Sequence, residues 1–178
     1  MDSISNRENA IVLPPDFSAL SLAMKRNLSS STYLDPVSHD GVHDALTFLP
    51  APPYFYEYLY REIAIIERNE RPLILMKFLI EPIQQNAIIR DYEISIINFA
   101  KAINKSIRKS DFAARIGRYE FMLALSTENK SPDEFANRLL TLWRDEEFLF
   151  SYSSTPYLAG DGALSILRRL DGEEVYRP

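Results

Sequence analysis

From position 44 onward the apolar residues fall into repeating patterns separated by short polar breaks, and those patterns predict eight elements. Phe55, Leu59, Ile63 and Ile66 recur at three and four residues, the spacing of one helix face, and the pattern stops near Asn69. Leu73 to Ile80 is almost continuously apolar and of strand length, which predicts a central buried strand closed by Pro82. Ile89, Ile96, Ala100, Ile103 and Ile107 describe a second amphipathic helix. Phe112 to Ile116 and Tyr119 to Leu125 predict two strands paired around a Gly117-Arg118 turn. Ser131, Pro132 and Glu134 form a capping box that opens a third helix, with Phe135, Leu139 and Leu142 inward. Glu147 to Thr155 reads as a fourth strand, and Asp161 is placed to cap a last helix through Leu170.

Helix-linked strands combined with one hairpin imply an α/β domain: a mixed, mainly antiparallel central sheet flanked by helices. Residues 1–43 break the pattern. They carry Pro14-Pro15, Ser29 to Ser31 and Asp35-Pro36, which punctuate loops, and Asp16 can cap a short helix through Leu28 with Leu20 and Met24 on one face. The expected organisation is therefore an N-terminal arm or linker over 1–43 and one domain over 44–178.

Composition narrows the function classes. A chain of 178 residues, 46% hydrophobic and 25% charged, suits one core with extensions. A net charge of −5 and a pI near 5.1 argue against a broad phosphate-binding surface, so neither DNA nor RNA is an expected partner. The absence of cysteine excludes disulfides and thiolate catalysis, and two histidines four apart, His39 and His43, have no evident third ligand for a metal. The N-terminus is polar where a signal peptide would be basic and then apolar, and the longest apolar stretch contains Lys77 and falls far short of the roughly 20 residues that span a bilayer. A cytoplasmic protein without membrane insertion is expected. Tyr54, Tyr56, Tyr58 and Tyr60 surround Phe55, and two readings stand: a platform on which bases stack, or a helix that is half core and half surface, with a homodimer or partner contact as a further use.

The spaced motifs carry a resemblance. Asp44-Ala-Leu46-Thr47-Phe48-Leu49-Pro50 through Phe55 keeps the frame D-x-L-T-G-L-P-N-R-x-x-F, with Phe48, Ala51 and Pro52 in place of Gly, Asn and Arg. Arg115-Ile-Gly117-Arg118-Tyr119-Glu120-Phe121 stands where R-x-G-G-[DE]-E-F would, and Leu79 and Glu81 stand where a strand would end in D-x-D. Near the end, Leu167 to Asp171 with Val175-Tyr176 follows L-L-x-x-A-D-x-A-L-Y with one residue inserted. From about Asp44 to Tyr176 the chain thus resembles the GGDEF domain of bacterial diguanylate cyclases, in a degenerate form.

That resemblance implies lost catalysis. Joining two GTP molecules requires Mg²⁺ held by hard carboxylate oxygens. The family takes those ligands from the first Asp of the strand end and the acidic third position of the hairpin, which here are Leu79 and Tyr119. The second hairpin glycine, which lets the nucleotide approach the backbone, is Arg118, and Glu120 alone is a weak metal site. No cyclase activity and no required cofactor or metal are expected from Leu79, Gly117, Arg118, Tyr119, Glu120 and Phe121.

The resemblance also implies a ligand. Many of these cyclases carry an inhibitory R-x-x-D site whose Asp lies in fixed register before the hairpin, and Arg108 and Asp111 match that register with Gly117. By itself the motif means little: 14 arginines and 11 aspartates in 178 residues give about one chance occurrence, and Arg168 to Asp171 is a second copy. A guanidinium can donate to guanine O6 and N7 while a carboxylate accepts from N1 and N2, so Arg108 and Asp111 suit one base of cyclic di-GMP. Arg138, on the helix after the hairpin, stands where an added arginine would contact a phosphate or stack on the second base. The expected function is a non-catalytic cyclic di-GMP receptor acting through a protein partner; the other reading is a nucleotide-independent interaction scaffold, and Arg108 and Asp111 would then be a surface ion pair.

Overall fold

The computed structural model describes residues 38–83, 89–126 and 131–178. The expected helix at Asp16 to Leu28, and most of the arm with it, lies outside them. Eight elements follow in the predicted order: α1 (Pro52–Asn69), β1 (Ile74–Pro82), α2 (Ile89–Ser106), β2 (Phe112–Arg115), β3 (Glu120–Leu125), α3 (Pro132–Leu142), β4 (Phe148–Pro156) and α4 (Ala163–Gly172). Among the described residues no helix is long and apolar enough to cross a membrane.

The four strands form one sheet in the order β2-β3-β1-β4. β1 runs antiparallel to both β3 and β4, and β2 antiparallel to β3. Every strand pairing among the described residues is therefore antiparallel, in keeping with the mainly antiparallel α/β sheet that the sequence implies. The cause is topological: β1 and β2 run parallel across α2, but β3 sits between them. In the same way β3 and β4 are parallel across α3, with β1 between them.

Alternation along β1 feeds two apolar layers. Met76, Phe78 and Ile80 pack with Phe121, with Phe99 of α2 and with Phe135 of α3. Leu75, Met122 and Ala124 on the opposite face pack with Phe55, Leu59, Ile63 and Ile66 of α1 and Ile166 and Leu170 of α4. The predicted inward faces of α1 and α2 are thus the buried ones, with Ile96, Ala100 and Ile103 below 3% exposure. Lys77 and Leu79 remain half-buried, so the second face of β1 is covered only in part.

Several local signals differ from the structure in detail. Ser131 precedes α3 but makes no side-chain cap; Pro132 removes one orphan donor and the Ser131 carbonyl accepts from Phe135 N–H. Leu142 is exposed, and Trp143 turns inward instead. Gly162, not Asp161, stands at the N-cap of α4, because Asp161 is held by the Arg169 guanidinium at 2.6 and 3.0 Å. The hairpin is closed by Ile116 N–H to Glu120 carbonyl at 2.9 Å, so its loop is three residues and not the two of a Gly117-Arg118 turn.

Residues 38–51 are tied to the sheet edge. Asp44 is 1% exposed; its carboxylate accepts from Thr47 N–H and hydroxyl at 2.8 and 2.6 Å and from Arg115 Nη1 at 3.0 and 3.1 Å. Arg115 N–H donates to Pro50 carbonyl at 3.1 Å and Nη2 to Arg118 carbonyl at 2.9 Å. Phe48, at the glycine position of the motif, adopts φ 58°, a left-handed conformation that costs an L-residue roughly 1–2 kcal/mol. Its N–H donates to Asp44 carbonyl, which holds it there. His39 and His43 lie in bridged loop segments, not on a shared helix face.

Removing one partner of a buried ion pair strands the other charge, at a cost of about 3–5 kcal/mol. Asp44→Ala should lose stability on that scale in urea denaturation, and Asp44→Ala combined with Arg115→Met should recover part of it. Equal losses in the single and double variants would deny the pair this role.

Candidate functional site

Where α2 ends, the chain makes a tight corner into β2. Asp111 N–H donates to Arg108 carbonyl at 3.0 Å, and Arg108 N–H donates to Asp111 Oδ2 at 2.9 Å. This reciprocal pair fixes both residues of the motif on one turn. Asp111 Oδ1 also accepts from Ser126 N–H at 3.3 Å, anchoring the corner to the end of β3. Asp111 is 7% exposed, whereas Arg108 stands in solvent.

Arg138 reaches the same corner from α3. Its Nη2 donates to Ser106 carbonyl at 2.8 Å, two residues before Arg108, and its guanidinium lies 5.0 Å over the Phe135 ring. A cation at the C-terminal carbonyls of α2 is favourable, since those carbonyls carry partial negative charge. The structure therefore gathers Arg108, Asp111 and Arg138 around the end of one helix.

The hairpin forms a second locus at the other end of β3. Leu79 stands directly opposite Glu120 in the β1–β3 ladder, and Ile80 N–H donates to Tyr119 carbonyl at 3.0 Å. Positions 79 and 119 are thus neighbours, but they present hydrocarbon and a phenol. The Tyr119 ring turns toward Tyr92 and Phe148, 6.5 and 6.1 Å away, and Arg118 lies 5.4 Å over it. Gly117 is closely packed: a Cβ there would meet Glu120 Cβ and Oε2 at 3.2 Å, so the Glu120 side chain would have to give by a few tenths of an ångström.

Beside the hairpin, Glu81, Glu120 and Asp171, all at motif positions, share a charged group with Lys77, which no motif names. Lys77 Nζ meets Asp171 Oδ1 at 2.7 Å, joining β1 to α4, so the Asp of the second R-x-x-D copy serves this contact. Burial pushes the Glu120 carboxyl above the ordinary glutamate value; Lys77 opposes the shift, and Asp171 and Glu81 add to it. Tyr56 is raised by burial and then by the charges of Asp171 and Glu120. Ser153, opposite Lys77 across the β1–β4 ladder, has a buried hydroxyl without a hydrogen-bond partner. For Lys77 the sequence signal was a lone lysine inside an apolar run.

The sign of the Glu120 shift sets a pH dependence. A carboxyl raised in the folded state holds its proton more tightly folded than unfolded. Its stabilising contribution is therefore complete below the unfolded glutamate value and declines as pH rises through the raised folded one. Glu120→Gln should raise the melting temperature at neutral pH more than at pH 4, flattening the profile; a parallel profile would remove Glu120 as its cause.

No protein-family model matches the chain, and no curated protein matches it. Solved structures do. The GGDEF domain of DgcB from Caulobacter crescentus, in complex with c-di-GMP, superposes with a TM-score of 0.64 at 19% identity, covering 77% of this chain and 90% of that one. The diguanylate cyclase SiaD from Pseudomonas aeruginosa, in complex with its activator SiaC, gives 0.63 at 21% identity, covering 88% of this chain and 64% of SiaD. The FimX GGDEF domain from Pseudomonas aeruginosa gives 0.60 at 14% identity over 73% of this chain and 89% of that one. At such identities a likeness carries the fold and leaves the chemistry to the site: the chain has the fold of the GGDEF domain.

Proposed function

We propose that the protein is a non-catalytic receptor that binds cyclic di-GMP at Arg108 and Asp111, with Arg138, and relays the occupancy to a protein partner. The observation that carries this reading is the convergence at the end of α2, where reciprocal backbone bonds hold the motif and Arg138 comes within two residues of it. Arg108 supplies an exposed guanidinium fork for guanine O6 and N7, and Asp111 a carboxylate for N1 and N2. DgcB, of the same fold, was crystallised with c-di-GMP, and SiaD with a protein activator. Both fit a ligand-plus-partner role in the cytoplasm, with residues 44–178 as the binding unit and 1–43 as an arm.

Diguanylate cyclase chemistry does not fit the residues of the hairpin. Mg²⁺ requires hard oxygen ligands, and positions 79 and 119 supply Leu79 and Tyr119. Arg118 adds a long cationic side chain where close backbone approach is needed. The protein is accordingly read as having no enzymatic activity.

One observation favours a scaffold without ligand: Asp111 and Arg138 already have backbone partners, so both could serve the corner alone. Calorimetry separates the readings. Cyclic di-GMP should bind the full chain with micromolar or tighter affinity, and Arg108→Ala should weaken it at least tenfold, about 1.4 kcal/mol. The purified protein incubated with GTP and Mg²⁺ should form no cyclic di-GMP. Wild type that does not bind leaves the scaffold; detectable synthesis sinks the non-catalytic reading.

A further inference from the structure

The tyrosines of α1 lie against the strand that begins at the Asp111 corner. Tyr58 stacks flat on Phe112, with ring centroids 3.9 Å apart and planes 10° apart. Phe112 directly follows Asp111 and opens β2. Tyr54, one helical turn before Tyr58, meets the same ring edge-on at 5.6 Å, and Phe55 backs it from the core at 6.0 Å. Three rings therefore immobilise Phe112, and Phe112 immobilises Tyr58.

Phe55 belongs to the core, and Phe112 and Tyr58 are partly buried rings packed against it. Tyr58 keeps part of its surface in solvent. The charge of Asp111 reaches it: burial first, then Glu62, then Asp111 push the phenol upward. A flat, backed aromatic ring beside a guanine-gripping pair has the properties of a base-stacking platform, whose geometry is prepaid before any ligand arrives.

We infer that Tyr58, backed by Phe112, is the stacking platform for the second purine of the bound dinucleotide, so that the two bases are read by different rules. This rests on the reading of Arg108 and Asp111 given above. Edge recognition by those two demands guanine, because adenine lacks O6 and the N1 and N2 donors. Stacking on Tyr58 accepts any purine face. The site therefore requires one guanine and tolerates adenine in the other position, which widens its ligand class to hybrid purine cyclic dinucleotides.

Three ligands, a 2-aminopurine probe and two variants test this. Calorimetry on the full chain should give cyclic GMP–AMP an affinity within about tenfold of cyclic di-GMP, and cyclic di-AMP one about 100-fold weaker. Tyr58→Leu should weaken both guanine-containing ligands about tenfold while Tyr58→Phe keeps them. A cyclic dinucleotide with 2-aminopurine as its second base should lose fluorescence on wild type and Tyr58→Phe, and keep it on Tyr58→Leu. Melting curves confirm that Tyr58→Leu is folded; should it unfold, Tyr58→Phe and the 2-aminopurine signal on wild type decide. Arg108-dependent binding of cyclic di-GMP that ignores Tyr58, or rejects the hybrid, overturns the platform and spares the receptor. A wild type that binds none of the three overturns both.

Discussion

Arg115 holds three parts of the molecule together through one side chain. Its guanidinium meets the Asp44 carboxylate in the loop before α1 and the Arg118 carbonyl in the hairpin, while its backbone N–H takes the Pro50 carbonyl. Both charged groups are almost fully buried, so each has lost its water and depends on the other. Buried pairs seldom add net stability compared with apolar replacements; what they fix is arrangement, since only one geometry satisfies both charges. The start of α1, the edge strand β2 and the hairpin loop must therefore keep one relative placement. The corner of Arg108 and Asp111 is built on the same edge strand and inherits that rigidity.

The two loci of the fold are consequently separated by the length of a short strand. One end of β2 carries the turn of Arg108 and Asp111, and the other runs into Gly117 and Glu120. Residues at the hairpin can change without moving the corner, because β2 and β3 are joined by backbone bonds that no side chain owns. Tyr119 packs among aromatic rings, while Leu79 stands between Glu120 and Ser151 in the ladders on either side of β1.

Periodicity was enough to read the element order, the inward faces of α1 and α2, and the interior place of β1. It sufficed because each depends on local repetition of apolar residues, and Phe55, Leu59, Ile63 and Ile66 announce themselves. The spacing of Arg108, Asp111 and Arg138 was visible in the sequence, and Arg138 donates to the Ser106 carbonyl, two residues before Arg108. What stayed hidden was long-range polar choice. Nothing near Lys77 names Asp171, 94 residues away, and nothing near Asp44 names Arg115, 71 away. Asp161 failed as a cap for the same reason, since Arg169 offers a charged partner that a backbone N–H cannot match. Strand order was hidden too, because which strand inserts between two parallel ones is a property of the whole sheet.

The strand order also bears on how the chain finds this structure. β2 and β3 are the only sheet neighbours that follow each other in sequence; β1 must locate β3 past a whole helix and β4 past most of the domain. Closing the hairpin costs little loop entropy, and each later pairing costs more. The contact formed most cheaply is thus the one through Arg115, Gly117 and Glu120, and it offers a ready edge on which β1 can dock. Whatever the hairpin binds, it would then have work in every molecule made: it is where the sheet begins.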